Sequence, residues 1–166
     1  MSRVYVECKP DEELVRSLIG REAGVDVIHG SNKSEVVKAV RKAAKEGAGS
    51  VVGVVDEDPD SAQPKSLRGE FDVDRELGHL KVLVLRGGSA RLVVLRPRLE
   101  GWVLRACKLC GVEPEKFGLS GKEDDLHRVI NSKLDNFRRL LDELRNDECS
   151  MMGELESVLG ALSREE

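Results

Sequence analysis

The alternation of short β-type runs with amphipathic helical stretches over the first 55 residues constrains this chain most. Residues 3–6 form a β-type run, and Pro10 and Asp11 behind it are helix-start chemistry. Leu14, Val15, Leu18 and Ile19 recur at helix spacing, and Gly20 or Gly24 can end that helix. Residues 25–28 read as a second strand. Ser31, Asn32 and Ser34 offer N-caps for a second helix with an apolar stripe of Val36, Val37, Val40, Ala43 and Ala44, and Gly47 suits its C′ position. Residues 50–55 are apolar without alternation, as in a strand buried on both faces of a sheet. The pattern is βαβαβ. It predicts an α/β fold: a Rossmann-like, mostly parallel central sheet with flanking helices.

Beyond residue 55 the regularity breaks. Residues 56–79 are polar and hold Pro59, Pro64, Gly69 and Gly78, which predicts a long loop with one short helical turn. Residues 81–85 and 91–95 are two further strands. Gly87, Gly88 and Ser89 between them make a hairpin and hence a mixed sheet. A helix is expected over 98–111, just after Pro97, and a loop over 118–121. Leu126, Ile130, Leu134, Phe137, Leu141 and Leu144 mark one long amphipathic helix. Met152, Leu155, Val158, Leu159 and Leu162 mark a short last one. These two helices can pack on the sheet or form a homodimer contact, and their spacing leaves both open. The expected organisation is an α/β domain over 1–112, with a helical extension over 113–166 packed on the same domain.

Composition sets limits. At 166 residues the chain can build one core without disulfide staples. Its net charge of −4 excludes a polycation, so nucleic-acid contact would need a local basic patch. No apolar run approaches a membrane span, and the first residues enter a strand pattern without a basic-then-apolar leader. A cytoplasmic location and no membrane partner are expected. The single Gln and abundant Arg and Glu fit a thermophilic source. Cys107 and Cys110 form a CxxC, but no second CxxC or HxxxH completes a zinc set. Two small residues on a helix is the better reading. His29, His79 and His127 are isolated and read as surface or loop histidines.

The chemistry lies in the carboxylates. Glu7 follows the first strand, and Asp56 and Asp58 follow the third. Ligands of open α/β sheets bind at the carboxyl ends of the strands, so these acids can meet at one edge. If the chain stays extended, Asp56 and Asp58 point to one side. Three converging carboxylates repel one another, and a hard divalent cation such as Mg²⁺ or Mn²⁺ relieves that repulsion. Taken alone, residues 56–60 are better read as a solvated acidic turn.

The order of these features resembles the TOPRIM domain of topoisomerases, primases and OLD-type nucleases. The first motif of that family, an apolar strand followed by Glu-Gly and often Lys and an acid, is matched by Val4-Tyr5-Val6-Glu7-Cys8-Lys9-Pro10-Asp11, with Cys8 in place of the usual Gly. The second is matched by Val54-Val55-Asp56-Glu57-Asp58, and Arg96-Pro97-Arg98-Leu99-Glu100-Gly101-Trp102 resembles the helix start of small stand-alone members. The resemblance spans residues 3–110. It implies a metal-dependent phosphoryl-transfer or phosphodiester-cleaving site. Glu7 is then a general acid/base or metal ligand with Lys9 beside it, Asp56 and Asp58 hold Mg²⁺ or Mn²⁺, and Glu100 joins the metal shell. DNA or RNA is the implied partner. The alternative is a TOPRIM-fold module that binds nucleic acid or assembles without chemistry, because a Cβ at Cys8 obstructs close phosphate approach. A phosphatase or receiver-like domain with Asp56 as acceptor fits less well. Leu85-Arg86-Gly87 and Leu95-Arg96-Pro97 do not supply the partners that chemistry needs.

Between Lys81 and Lys108 there are seven basic residues, among them Arg96 and Arg98, and one acid, Glu100. Arginine there can hold phosphate through its planar fork, or pair with the acids of 56–76. Both readings stand at this level.

Overall fold

The uninterrupted apolar run after Ser50 forms an interior strand of a six-stranded sheet. A computed structural model of the chain describes residues 2–19, 25–59 and 63–163. The expected helix stops at Gly20 or Gly24, the acid Asp60 and the side chain of Leu162 lie outside the described residues. The strands are β1 (Ser2–Val6), β2 (Val25–His29), β3 (Val51–Asp56), β4 (Phe71–Glu76), β5 (Leu80–Leu85) and β6 (Arg91–Leu95). Their order is β2-β1-β3-β6-β5-β4. β2, β1, β3 and β6 run parallel, while β5 lies antiparallel to β6 and β4 antiparallel to β5.

The helices are α1 (Lys9–Ile19), α2 (Lys33–Lys45), α3 (Lys65–Glu70), α4 (Leu99–Cys110), α5 (Glu123–Val129), α6 (Leu134–Asn146) and α7 (Ser150–Ser163). The connection after β1 runs outward to β2, and the one after β2 returns past β1 to β3. With right-handed crossovers, that reversal puts α1 and α2 on opposite faces. Accordingly α1 buries Leu14, Val15 and Leu18 in one core, and α2 buries Val36, Val37 and Val40 in the other. Gly53 lets α2 lie close to the sheet, since a Cβ there would stand 2.7 Å from Leu92 Cδ2 and 2.9 Å from Val40 Cγ2. Asn32 caps α2 by accepting the Glu35 N–H at 2.9 Å, and Gly47 takes the left-handed conformation behind it.

The stretch 56–79 holds the expected short helical segment, α3, but in place of a continuous loop it also carries the edge strand β4. Asp72, Asp74, Arg75 and Glu76 of β4 are all exposed, and a charged edge is how sheets avoid pairing with other chains. Its apolar alternation is confined to Phe71 and Val73, too short to read as a strand among the charged residues around it. The expected long helix is also divided. Ile130–Ser132 is a 3₁₀ turn between α5 and α6, where Asn131 and Ser132 compete with helical hydrogen bonding.

Both C-terminal stripes are core. Leu126, Ile130, Phe137, Leu141 and Leu144 are buried with Leu14 and Leu18 of α1 and with Trp102 and Val103 of α4. Cys107 is buried on α4 as its helix face requires, but Cys110 forms a disulfide with Cys149. Spacing could not show that pair, because it joins the end of α4 to the residue before α7. Among the described residues, no helix is long and apolar enough to cross a membrane.

Candidate acidic site at the carboxyl edge of the sheet

The connections that follow β1 and β3 leave in opposite directions, one toward β2 and one toward β4 to β6. The carboxyl ends of these two adjacent parallel strands form a topological switch point, where α/β sheets bind ligands. Glu7 and Asp56 stand there. Glu7 Oε2 accepts the backbone N–H of Asp56 at 2.8 Å, which draws its carboxylate across to β3. Asp56 points to the α1 and α4 face, and its Oδ1 accepts the N–H of Leu99 at 2.9 Å.

Two further acids close on this pair. Asp11, in the first turn of α1, is only 1% exposed; its Oδ2 accepts the Cys8 thiol at 3.2 Å, while its buried Oδ1 has no partner. Glu100, in the first turn of α4, is 5% exposed; its Oε1 stands 3.0 Å from His127 Nδ1, and its buried Oε2 has no partner. The helix N-termini behind Asp11 and Glu100 favour negative charge, which offsets part of the repulsion.

That repulsion remains large. Burial, then Asp11, Glu7 and Glu100 in turn, push Asp56 up to about 9. Burial and then Glu7 push Asp11 up to about 7. Glu7 is raised as well, mainly by burial, with Asp58 and Glu100 adding to it.

Asp58 is not in line with Asp56. β3 ends at Asp56, and Asp58 has left-handed backbone with φ 46, its N–H donating to Pro97 O at 2.8 Å. The expected extended Asp-x-Asp is therefore corrected to a turn, which hydrogen bonds to Leu95 and Pro97 hold in place. Asp58 still acts electrostatically on Glu7 and on Lys33.

The cation of the site is Lys33, not Lys9. Lys9 is exposed at the start of α1. Lys33 Nζ donates to Glu57 O at 2.8 Å and to Gln63 Oε1, and it lies in the field of Glu7, Asp58, Asp56 and Glu57. Burial lowers its pKa against that field. Its signal was in the sequence: the turn after β2 belongs to the same sheet edge. His127 had none, because its place depends on α5 packing against α4.

The two arginines expected at phosphate are held by carboxylates. Arg96 Nε is 2.9 Å from Glu57 Oε2, and its Nη1 is 3.0 Å from Glu76 Oε1. Arg98 meets Glu123 at 2.9 Å and Asp124 at 2.7 Å.

The donor chemistry suits a hard cation: all-oxygen, crowded with acids, with two buried oxygens lacking partners. Among the described residues, no three His, Cys, Asp or Glu side chains are grouped to share one ion. Mg²⁺ does not require such a group, since it keeps several waters and is commonly held by one or two carboxylates. Comparison with models of known families, with curated proteins and with solved structures finds no match for this chain.

Proposed function

We propose that this chain is a TOPRIM-like, Mg²⁺- or Mn²⁺-dependent protein that acts on nucleic-acid phosphodiesters. One observation carries the reading: acids from the ends of β1 and β3 and from the first turns of α1 and α4 converge at the switch point, with buried carboxylate oxygens of Asp11 and Glu100 unpartnered. Glu7 and Asp56 are the residues to hold the ion, and Asp58 and Glu100 flank them. When bound, the ion would neutralise the acids, polarise a phosphate oxygen and lower the pKa of a water. The chain's own part is positional. The Asp56 N–H orients Glu7, the Leu99 N–H orients Asp56, and Lys33 supplies positive charge where a phosphate would approach.

The test is calorimetric titration of Mg²⁺ into the wild type and the Asp56→Asn/Asp58→Asn variant, alongside cleavage of DNA and RNA in Mg²⁺ or Mn²⁺. Binding and cleavage by the wild type alone are expected. Equal Mg²⁺ binding by both proteins sinks the assignment.

A second reading is favoured by Cys8, whose thiol donates to Asp11 beside Glu7 where the family has glycine. It is a nucleic-acid-binding module without chemistry. Salt-sensitive gel shifts that survive EDTA, with no cleavage in either metal, would select it.

A further inference from the structure

The same sheet edge carries a groove on its other face. The six strands span about 24 Å from first to last at a spacing of about 4.8 Å, whereas a helix is about 10 Å across. α2 packs over β1 and β3, and α3 has only six residues. A strip over β6, β5 and β4 is left open, with a volume of about 540 Å³, inside the range of ligand pockets. Phe71, Val73, Leu83 and Val94 line it as apolar wall, and Lys33 and Lys81 stand on its rim.

The charge of this rim is decided by Arg96. Glu57 borders the groove, and Glu76 lies opposite Lys81 in the β4–β5 register. Both carboxylates are paired to Arg96, at 2.9 and 3.0 Å. Lys33 itself donates to neutral oxygens, the Glu57 carbonyl and the Gln63 amide. The groove therefore offers an apolar wall and two ammonium groups, and the two acids beside it, Glu57 and Glu76, are already paired to Arg96. Residue 56 faces the acidic site and residue 57 the groove, because successive side chains at a strand end alternate between faces. Lys33 lies at the junction of the two.

We infer that this groove binds one nucleoside monophosphate unit, its ring on the wall of Phe71, Val73, Leu83 and Val94 and its phosphate against Lys33 and Lys81. A ring-bearing anion is the chemistry that satisfies both halves. The choice of a nucleotide rests on the nucleic-acid reading above, and the groove would seat the residue next to the reacting phosphate. Binding here needs no metal.

The experiment is a titration of the full chain in EDTA with adenosine 5′-monophosphate, adenosine and inorganic phosphate, followed by backbone amide NMR shifts. Saturable shifts at Lys33, Val73, Leu83 and Val94 are expected for the monophosphate. Adenosine and phosphate alone should bind at least ~10-fold more weakly, since each meets half of the site. Lys81→Ala should weaken the monophosphate about 10-fold, and so should Val73→Glu, at a position 55% exposed where the fold tolerates a charge. Asp56→Asn should leave it within about twofold. No saturable binding, or binding unmoved by Lys81→Ala and Val73→Glu, overturns the inference, as does binding abolished by Asp56→Asn. Loss of Mg²⁺ binding with the monophosphate site intact counts against the metal reading alone. The reverse pattern counts against this inference alone.

Discussion

The Asp56 carboxylate accepts the N–H of Leu99 at 2.9 Å, so a side chain from the end of β3 caps α4. The cap position itself is Arg98, whose side chain makes no capping bond. Asp56 thus serves two ends: it satisfies a helix donor and places an ionisable carboxyl in a crowded site. The two separate by substitution. Asp56→Asn retains an acceptor for Leu99 and discards the charge, while Asp56→Ala discards both. Metal-free at pH 8, Asp56→Asn is expected to be at least as stable as the wild type, and Asp56→Ala less stable than Asp56→Asn by about 1 kcal/mol. Urea denaturation measures both gaps, and equal stability of the two variants would remove the capping role.

The pH dependence of the metal-free protein should run opposite to ordinary acid denaturation. In the unfolded chain the carboxyls titrate near ~4. In the fold Asp11 is raised to about 7 and Asp56 to about 9. The folded state therefore holds more protons across that window. The stability these groups contribute is complete below about pH 4 and is lost as pH rises through about 7 and then about 9. Urea midpoints in EDTA, taken for the wild type and an Asp11→Asn/Asp56→Asn variant, isolate the effect. The wild type should lose ground to the variant by an amount on the order of a few kcal/mol between acid and alkaline pH. A constant gap would show that neither carboxyl is perturbed.

How much of this was legible in the sequence follows from period and order. β1, β3 and α2 carry their burial as apolar spacing, the half-buried Val25 and Val27 mark β2, and the order of strand ends placed Glu7 and Asp56 together. Asp11 stood in the motif, but its helix-start chemistry hid its burial. β4 was hidden because an exposed, charged edge strand looks like loop, and the α5–α6 division because apolar spacing runs on through the 3₁₀ turn. Pairing with the acids of 56–76 was one of the readings open for the arginines, and Arg96 takes it, with Glu57 and Glu76. The partners of Arg98, Glu123 and Asp124 on α5, were beyond reach, because that contact has no sequence period.

The Cys110–Cys149 link joins the end of α4 to the residue before α7, 39 residues along the chain. In the chain-entropy account, closing a loop of that length stabilises the fold by about 4 kcal/mol, or on the order of 10 °C in Tm for a chain of this size. Thiol titration of the denatured, unreduced protein should find two thiols, those of Cys8 and Cys107. Cys110→Ser should lower the melting temperature by that order, and dithiothreitol should have little further effect on it. Four titratable thiols, or a variant that melts with the wild type, would show that the link does not form in solution.

Metal binding should expel protons. At pH 7 the raised carboxyls of Asp56 and Asp11 are protonated wholly or in part, and Glu7 is shifted in the same direction. A divalent cation needs its oxygen ligands ionised, so each ion bound displaces whatever protons those ligands held. Calorimetric titration of Mg²⁺ in buffers of different ionisation enthalpy reads this as a slope in the apparent heat. Release of about one proton per ion is expected at pH 7, diminishing above pH 9, where Asp56 is already ionised. Apparent affinity should rise over the same interval. Asp56→Asn removes the most strongly held proton and should flatten the slope even where residual binding survives. Binding with no proton release at pH 7 would mean that the ion avoids these carboxyls and sits elsewhere on the chain.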